Sequence, residues 1–323
     1  MPVTPREQVK PASSAPKKSF ALISDEKLRQ LYATMLHCRL LQERLLLQSK
    51  RSRSNNSHAP ATLGHEAGAV GVAIDLLPTD IVAPSSGDAI SGFLVGAPLG
   101  ASFHRAGTNG SNGHSKNGHA LLPLIPPAST PEAQLRIATG AAFAAKLRQN
   151  GSIAVAFCGE ASAPPLLWSE TLAFAAAHRL PMIYVTHTAG EANLSQLALD
   201  CGLPGIPVDG SDVVAVYRVA YETIARVRQG NGPALIECRH GSDPIGADAA
   251  HDPIRNMEHY LTGKGLFAEA WKQKLIHEFS RDLDAAAKAP ASLPASKNGS
   301  HSTASLSLRR RRPLASQAGS VTR

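Results

Sequence analysis

No two cysteines in this sequence are spaced as a metal knuckle or a Cys-x-x-Cys redox motif: Cys38, Cys158, Cys201 and Cys238 stand far apart, each inside an apolar or mixed segment. Thiols so placed fit a reducing compartment, not a secreted protein stapled by disulfides. Aromatic residues are also scarce, at 5% of the chain, so Ala, Leu and Val must fill the interior. No stretch approaches the roughly 18 apolar residues of a membrane span, and the N-terminus has no apolar run of signal-peptide length. These absences predict a cytoplasmic protein with no membrane partner.

Acidic residues are absent from the last 36 positions. Lys288, Lys297, Arg309, Arg310, Arg311, Arg312 and Arg323 therefore give that segment +7, and the first twenty residues add +3. Removing both from the formal charge of +8 leaves −2 for the body, so a basic binding face is not implied and nucleic acid is not an expected partner. Arg309 to Arg312 read first as a solubilising tail and second as a contact for acidic partners or nucleic acid, which leaves a tail-mediated nucleic-acid binder as a further alternative. Residues 1–20 and 288–323 are rich in Pro, Ser and Ala, with too few large apolar groups to offset ordering entropy, which predicts disordered tails around a body at 21–287.

Hydrophobic residues at 43% against 18% charged are enough to build a core in that body. A helix is expected to open at Ser24, with Asp25 and Glu26 in its first turn, and Leu28, Leu31, Tyr32, Met35 and Leu36 repeat at helical spacing. The segment GHEAGAVGVAIDLLPTD carries small residues through a helical pattern, as close helix packing requires. Residues 101–119 have the Gly and Asn content of an exposed loop. Thr130 followed by Pro131 starts another helix.

Beyond that the period switches repeatedly. Ser152–Cys158, Pro181–Thr186 and Pro233–Cys238 read as buried strands, with helices over Leu166–His178 and Val213–Arg228. Alternation at this spacing predicts an α/β fold, a parallel sheet flanked by helices, with ligands at the carboxyl ends of the strands. The turns after Cys158 and Thr186 are where chemistry is expected.

The run FCGEASAPPLLWSETLAFAAAHRLPMIYVTHT resembles the cofactor motif of the alpha subunits of thiamine-diphosphate-dependent 2-oxo acid dehydrogenases, the pyruvate, branched-chain and acetoin type. In the motif a Gly-Asp-Gly ends one strand and an Asn-Asn pair ends the next. Gly159, Glu160 and Ala161 match the first triplet without a gap, Leu180 and Pro181 match the Leu-Pro that opens the second strand, and Thr188 and Ala189 match the Asn pair. LYATMLHCRLLQERL, GHEAGAVGVAIDLLPTD, GIPVDGSDVVAVYRVAYETIARVRQGNGPALIECR and DPIRNMEHYL extend the likeness over roughly residues 25–285.

The resemblance implies the thiamine-diphosphate-binding fold, oxidative decarboxylation of a 2-oxo acid, and acyl transfer to a lipoyl carrier. Its implied cofactors are thiamine diphosphate and Mg2+. Its implied partners are a beta-type subunit, in a heterotetramer, and a lipoyl acyltransferase component. Carried over residue by residue, Gly159, Glu160, Ala161, Ser162 and His240 fall at the cofactor, Glu160 at the metal, and His240 and His114 at catalytic loops.

Several positions depart from the motif. Glu160 is one methylene longer than the Asp it matches, Ala161 adds a methyl where phosphate approaches, and Ala189 has no side-chain oxygen for a hard cation. Ser86 and Gly87 stand where the family has a Tyr-Arg, and Asp88 follows with a charge that repels a diphosphate. Beside the enzyme reading stands a pseudoenzyme that keeps fold and subunit contacts without the cofactor. Plainer readings remain for single residues: Glu160 as a solvated turn carboxylate; His104, His114, His119 and Lys116 as loop residues and not a metal site; His65, Trp168 and His178 as packing or helix-capping groups.

Overall fold

The computed structural model describes residues 23–51, 63–85, 88, 90–103, 123–125, 128, 130–159, 164–189, 193–241 and 251–288. The expected tails lie outside this set, apart from Lys288, which ends the last helix.

The chain opens with α1 (Asp25–Arg51). The Ser24 hydroxyl accepts the Lys27 amide, and the expected apolar stripe of Leu28, Leu31, Tyr32, Met35 and Leu36 is buried. The small-residue segment forms α2 (Glu66–Ala73), which runs into the first strand, β1 (Ile81–Ala83). Two short helices follow, α3 (Ser91–Leu94) and α4 (Leu99–Phe103). The latter corrects the start of the expected loop, since residues 101–103 are helical. Thr130 caps α5 (Pro131–Arg148) through its hydroxyl, which accepts the Ala133 amide, with Pro131 at the first position.

Strands and helices then alternate: β2 (Ala154–Gly159), α6 (Pro165–Ala177), β3 (Met182–Ala189), α7 (Leu194–Asp200), β4 (Gly205–Asp209), α8 (Val213–Arg228) and β5 (Ala234–His240). Helices α9 (Pro253–Gly263) and α10 (Glu269–Lys288) close the fold. The five strands make one sheet, ordered β1-β2-β3-β5-β4, and every pairing is parallel. The family-type α/β architecture expected from the sequence is thus present.

Strand period two divides the interior. Val155, Phe157, Ile183, Val185, Ile236 and Cys238 face a core completed by α1, α2, α8 and α9. Ala154, Ala156, Cys158, Met182, Tyr184 and Leu235 face the other side, against α5, α6 and α7. Both faces are covered, which is why these strands read as unbroken apolar runs. Small residues set the distance of α2: a Cβ on Gly71 would lie 2.8 Å from Val216 Cγ1 of α8.

Asp80 fixes the opposite edge. Buried, it accepts two hydrogen bonds from Arg228 at 3.0 and 2.8 Å, and others from the Ile153 and Leu77 amides. The four cysteines are free thiols, three of them buried. Among the described residues, no helix is long and apolar enough to cross a membrane.

Candidate functional site

Strands β2, β3 and β5 end side by side. Gly159 is the register partner of His187, and Ala189 that of His240. β3 runs three residues past its expected end at Thr186, and β5 two past Cys238. The extension places His187 and His240 in the sheet with their side chains toward α2, on the face that already carries Ile183, Val185, Ile236 and Cys238.

His65, immediately before α2, completes a cluster. Its ring stacks on His187 with centroids 4.5 Å apart and planes 3° from parallel, and its centroid is also 4.5 Å from that of His240. His187 Nδ1 and His240 Nε2 are 2.9 Å apart and share a hydrogen bond. One nitrogen from each of the three rings lies within 4.8 Å of the others. Of the two roles expected for His65, packing or capping, its side chain takes the first: it makes no cap hydrogen bond and packs in this cluster. Trp168 is a core residue and His178 follows the end of α6, as expected.

The backbone leaves the rings little freedom. A Cβ on Gly68 would overlap His187 Cε1, and one on Gly210 would overlap the His240 ring, so a glycine on α2 and one after β4 permit the approach. Burial pushes the His187 pKa well below the usual imidazole value, with repulsion from His65 and His240 adding to it. Burial also lowers His240, to about 4, helped by His65 and opposed by Asp209. His65 is lowered by burial, against the pull of Glu66. All three rings are therefore neutral near pH 7, the form that donates a lone pair. His240 Nδ1 is buried and has no hydrogen-bond partner among the described residues.

Around the cluster the carboxylates are already engaged. Glu237 is fully buried and accepts the amides of Leu194 and Ser195 at 3.1 and 3.2 Å, the Thr188 hydroxyl at 3.2 Å, and Arg239 at 3.1 Å. Burial alone would raise its pKa, but these donors together bring it below the ordinary glutamate value. It thereby anchors the start of α7 to the strand ends. Glu66 accepts Arg39 at 2.6 and 3.0 Å. Asp88, which the sequence set against an anionic ligand, instead accepts the Ile90 and Ser91 amides at the start of α3, at 2.8 and 3.1 Å.

Of the sequence-predicted site residues, Gly159 and His240 are brought to the same end of the sheet, on β2 and β5, with β3 between them. Glu160, Ala161, Ser162 and His114 lie outside the described residues. His187 lies one residue past the strand end that the apolar run predicts, and so outside the predicted site. The signal was available: histidines occur at or near the ends of two buried apolar runs, and a third opens the small-residue helix.

Magnesium and a diphosphate need oxygen donors and cations. On the α2 face of the described strand ends the side chains are the imidazoles of His187 and His240 and the methyl of Ala189, with His65 beside them, a nitrogen set of borderline softness. These three imidazoles do not fit a magnesium-clamped diphosphate.

Residues 32–240 match the family described as the dehydrogenase E1 component. The chain is 30% identical over 302 residues to the pyruvate dehydrogenase E1 component subunit alpha of Staphylococcus aureus (strain Mu50 / ATCC 700699), covering 82% of this chain and 78% of that protein. It is 28% identical, at the same coverage, to the protein of that name from Staphylococcus epidermidis (strain ATCC 12228 / FDA PCI 1200).

Proposed function

The chain belongs to the dehydrogenase E1 component family, and on that premise we propose that it serves as the alpha-type subunit of a 2-oxo acid dehydrogenase. Its work would be oxidative decarboxylation of a 2-oxo acid with a beta-type subunit, the acyl group passing to a lipoyl acyltransferase in the cytoplasm. The carrying observation is the match over residues 32–240, which spans the sheet from β1 to β5 together with α2 and most of α1. In this reading Gly159, Glu160, Ala161, Ser162 and His240 flank the cofactor, Glu160 meets the metal, and His240 and His114 act at the substrate.

Co-expression with a beta-type subunit tests it. The expected result is a stable heteromeric complex that acylates a lipoyl domain in the presence of a 2-oxo acid. A chain that neither associates nor supports turnover overturns it.

A second reading follows from the donor set. With Ala189 at the end of β3 and imidazoles beside it, the chain would keep the fold and subunit contacts without holding thiamine diphosphate. Association with the beta-type subunit in the absence of cofactor binding separates the two readings.

A further inference from the structure

His65, His187 and His240 come from three separate parts of the chain: the residue before α2, the end of β3 and the end of β5. Nothing local forces their convergence. Register brings two of them to adjacent strand ends on the same face, and the glycines at 68 and 210 admit the rings. Three imidazoles meet there, His187 Nδ1 and His240 Nε2 2.9 Å apart and one nitrogen of each ring within 4.8 Å of the others.

We propose that these three histidines form a binding site for a borderline divalent transition-metal ion, zinc, cobalt or nickel, at the strand ends where the family's magnesium would lie. Imidazole nitrogen suits such ions and serves magnesium poorly. A tetrahedral ion with bonds of about 2.0–2.1 Å holds its donor atoms roughly 3.3 Å apart. The 2.9 Å between His187 Nδ1 and His240 Nε2 is a few tenths short of that, and the third nitrogen lies within 4.8 Å. Seating the ion spreads the pair slightly and tilts His65 out of its parallel stack, so that its lone pair points into the shared gap.

Each ring keeps one proton, on the nitrogen that faces away from the ion, so no net proton transfer is needed. Three protein ligands leave a fourth position for water or an anionic oxygen, the pattern of open zinc sites. The proposal does not rest on the dehydrogenase reading, because it concerns this chain's own nitrogens and a bare ion.

The test is titration of the full-length, metal-stripped chain with Co2+ and with Zn2+, without thiamine diphosphate. One equivalent is expected to bind, Co2+ with the visible d–d bands of a four- or five-coordinate site, and X-ray absorption should count three imidazoles. His65→Asn puts a favoured capping residue before α2 while removing a ligand; it and His240→Gln should each weaken binding roughly tenfold or more with an unchanged circular dichroism spectrum. Equimolar magnesium should not compete. A folded wild-type chain that takes up no ion overturns the proposal. So does a His65→Asn chain that titrates like wild type, since the ion would then sit on other histidines. Should either variant fail to fold, the absorption spectrum of the wild type decides: three imidazoles on the ion support the site and fewer refute it.

Discussion

Arg39 on α1 donates two hydrogen bonds to Glu66, the fully buried first residue of α2, at 2.6 and 3.0 Å. The same guanidinium reaches Asp252, the cap of α9, at 3.1 Å. One planar cation thus ties three helices together beside His65, and its fork geometry is what allows both carboxylates to be served.

Removing that cation leaves Glu66 charged and unpaired in the core. Arg39→Ala should lower stability by about 3–5 kcal/mol, the usual cost of breaking one side of a buried pair. Arg39→Lys keeps the charge but not the fork and should fall between. Urea unfolding of the three proteins checks this, and a loss in the alanine variant below about 1 kcal/mol would refute the clamp.

The His37 ring, on α1, stacks on Phe279 of α10 with centroids 4.2 Å apart, and lies edge-on to Phe93. Burial holds its pKa below the ordinary 6.5, with Asp282 pulling the other way. The unfolded chain therefore takes up this proton first, so the stabilising contribution is complete above about pH 6.5 and is lost as pH falls below it. Thermal midpoints at about pH 7.5 and about pH 5.5 should differ less in His37→Phe than in wild type. An equal acid sensitivity would show that other groups carry it.

The fold was legible because its signals are local and repeated. Thr130-Pro131 announces α5, and apolar runs bounded by turns announce β2, β3 and β5. Where apolar character fades the boundaries are not legible: β4 begins Gly-Ile-Pro and is only partly buried, β3 ends His-Thr-Ala and β5 ends Arg-His. The imidazole cluster depends on register between strands some 50 residues apart, which no window on the sequence contains. Gly68 illustrates the limit well: its small size was readable as close packing, but not that the neighbour is a histidine.

Two helical glycines should respond oppositely to alanine. At Gly68 the new methyl meets His187, whereas at Gly140 nothing lies within 4 Å. Gly140→Ala should raise stability by about 0.5–1 kcal/mol through helix propensity. Gly68→Ala should lower it by about 1–3 kcal/mol through overpacking. Denaturant midpoints compare them directly, and a stabilised Gly68→Ala would mean that α2 does not sit so close to β3.

The donor set at the strand ends leads to a final expectation, about thiamine diphosphate itself. The alanine at 189 ends β3 without an oxygen, and at the positions matching the family's triplet Glu160 is long and Ala161 is bulky. The chain with a beta-type partner should therefore bind thiamine diphosphate and magnesium far more weakly than one carrying Glu160→Asp, Ala161→Gly and Ala189→Asn together. A hard cation needs its oxygens jointly, so the single changes should recover little and the triple change on the order of a hundredfold. Ser86→Tyr with Gly87→Arg should add further affinity by returning a guanidinium to the phosphates. Titration calorimetry with and without magnesium reads all of these. If the unaltered chain binds with micromolar affinity or better, and only when magnesium is present, oxygen donors other than residue 189 hold the ion and the cofactor-free reading fails. If the triple variant binds no better than wild type, the imidazoles at 65, 187 and 240 are the obstacle, because they sit against the same strand end and favour a softer ion.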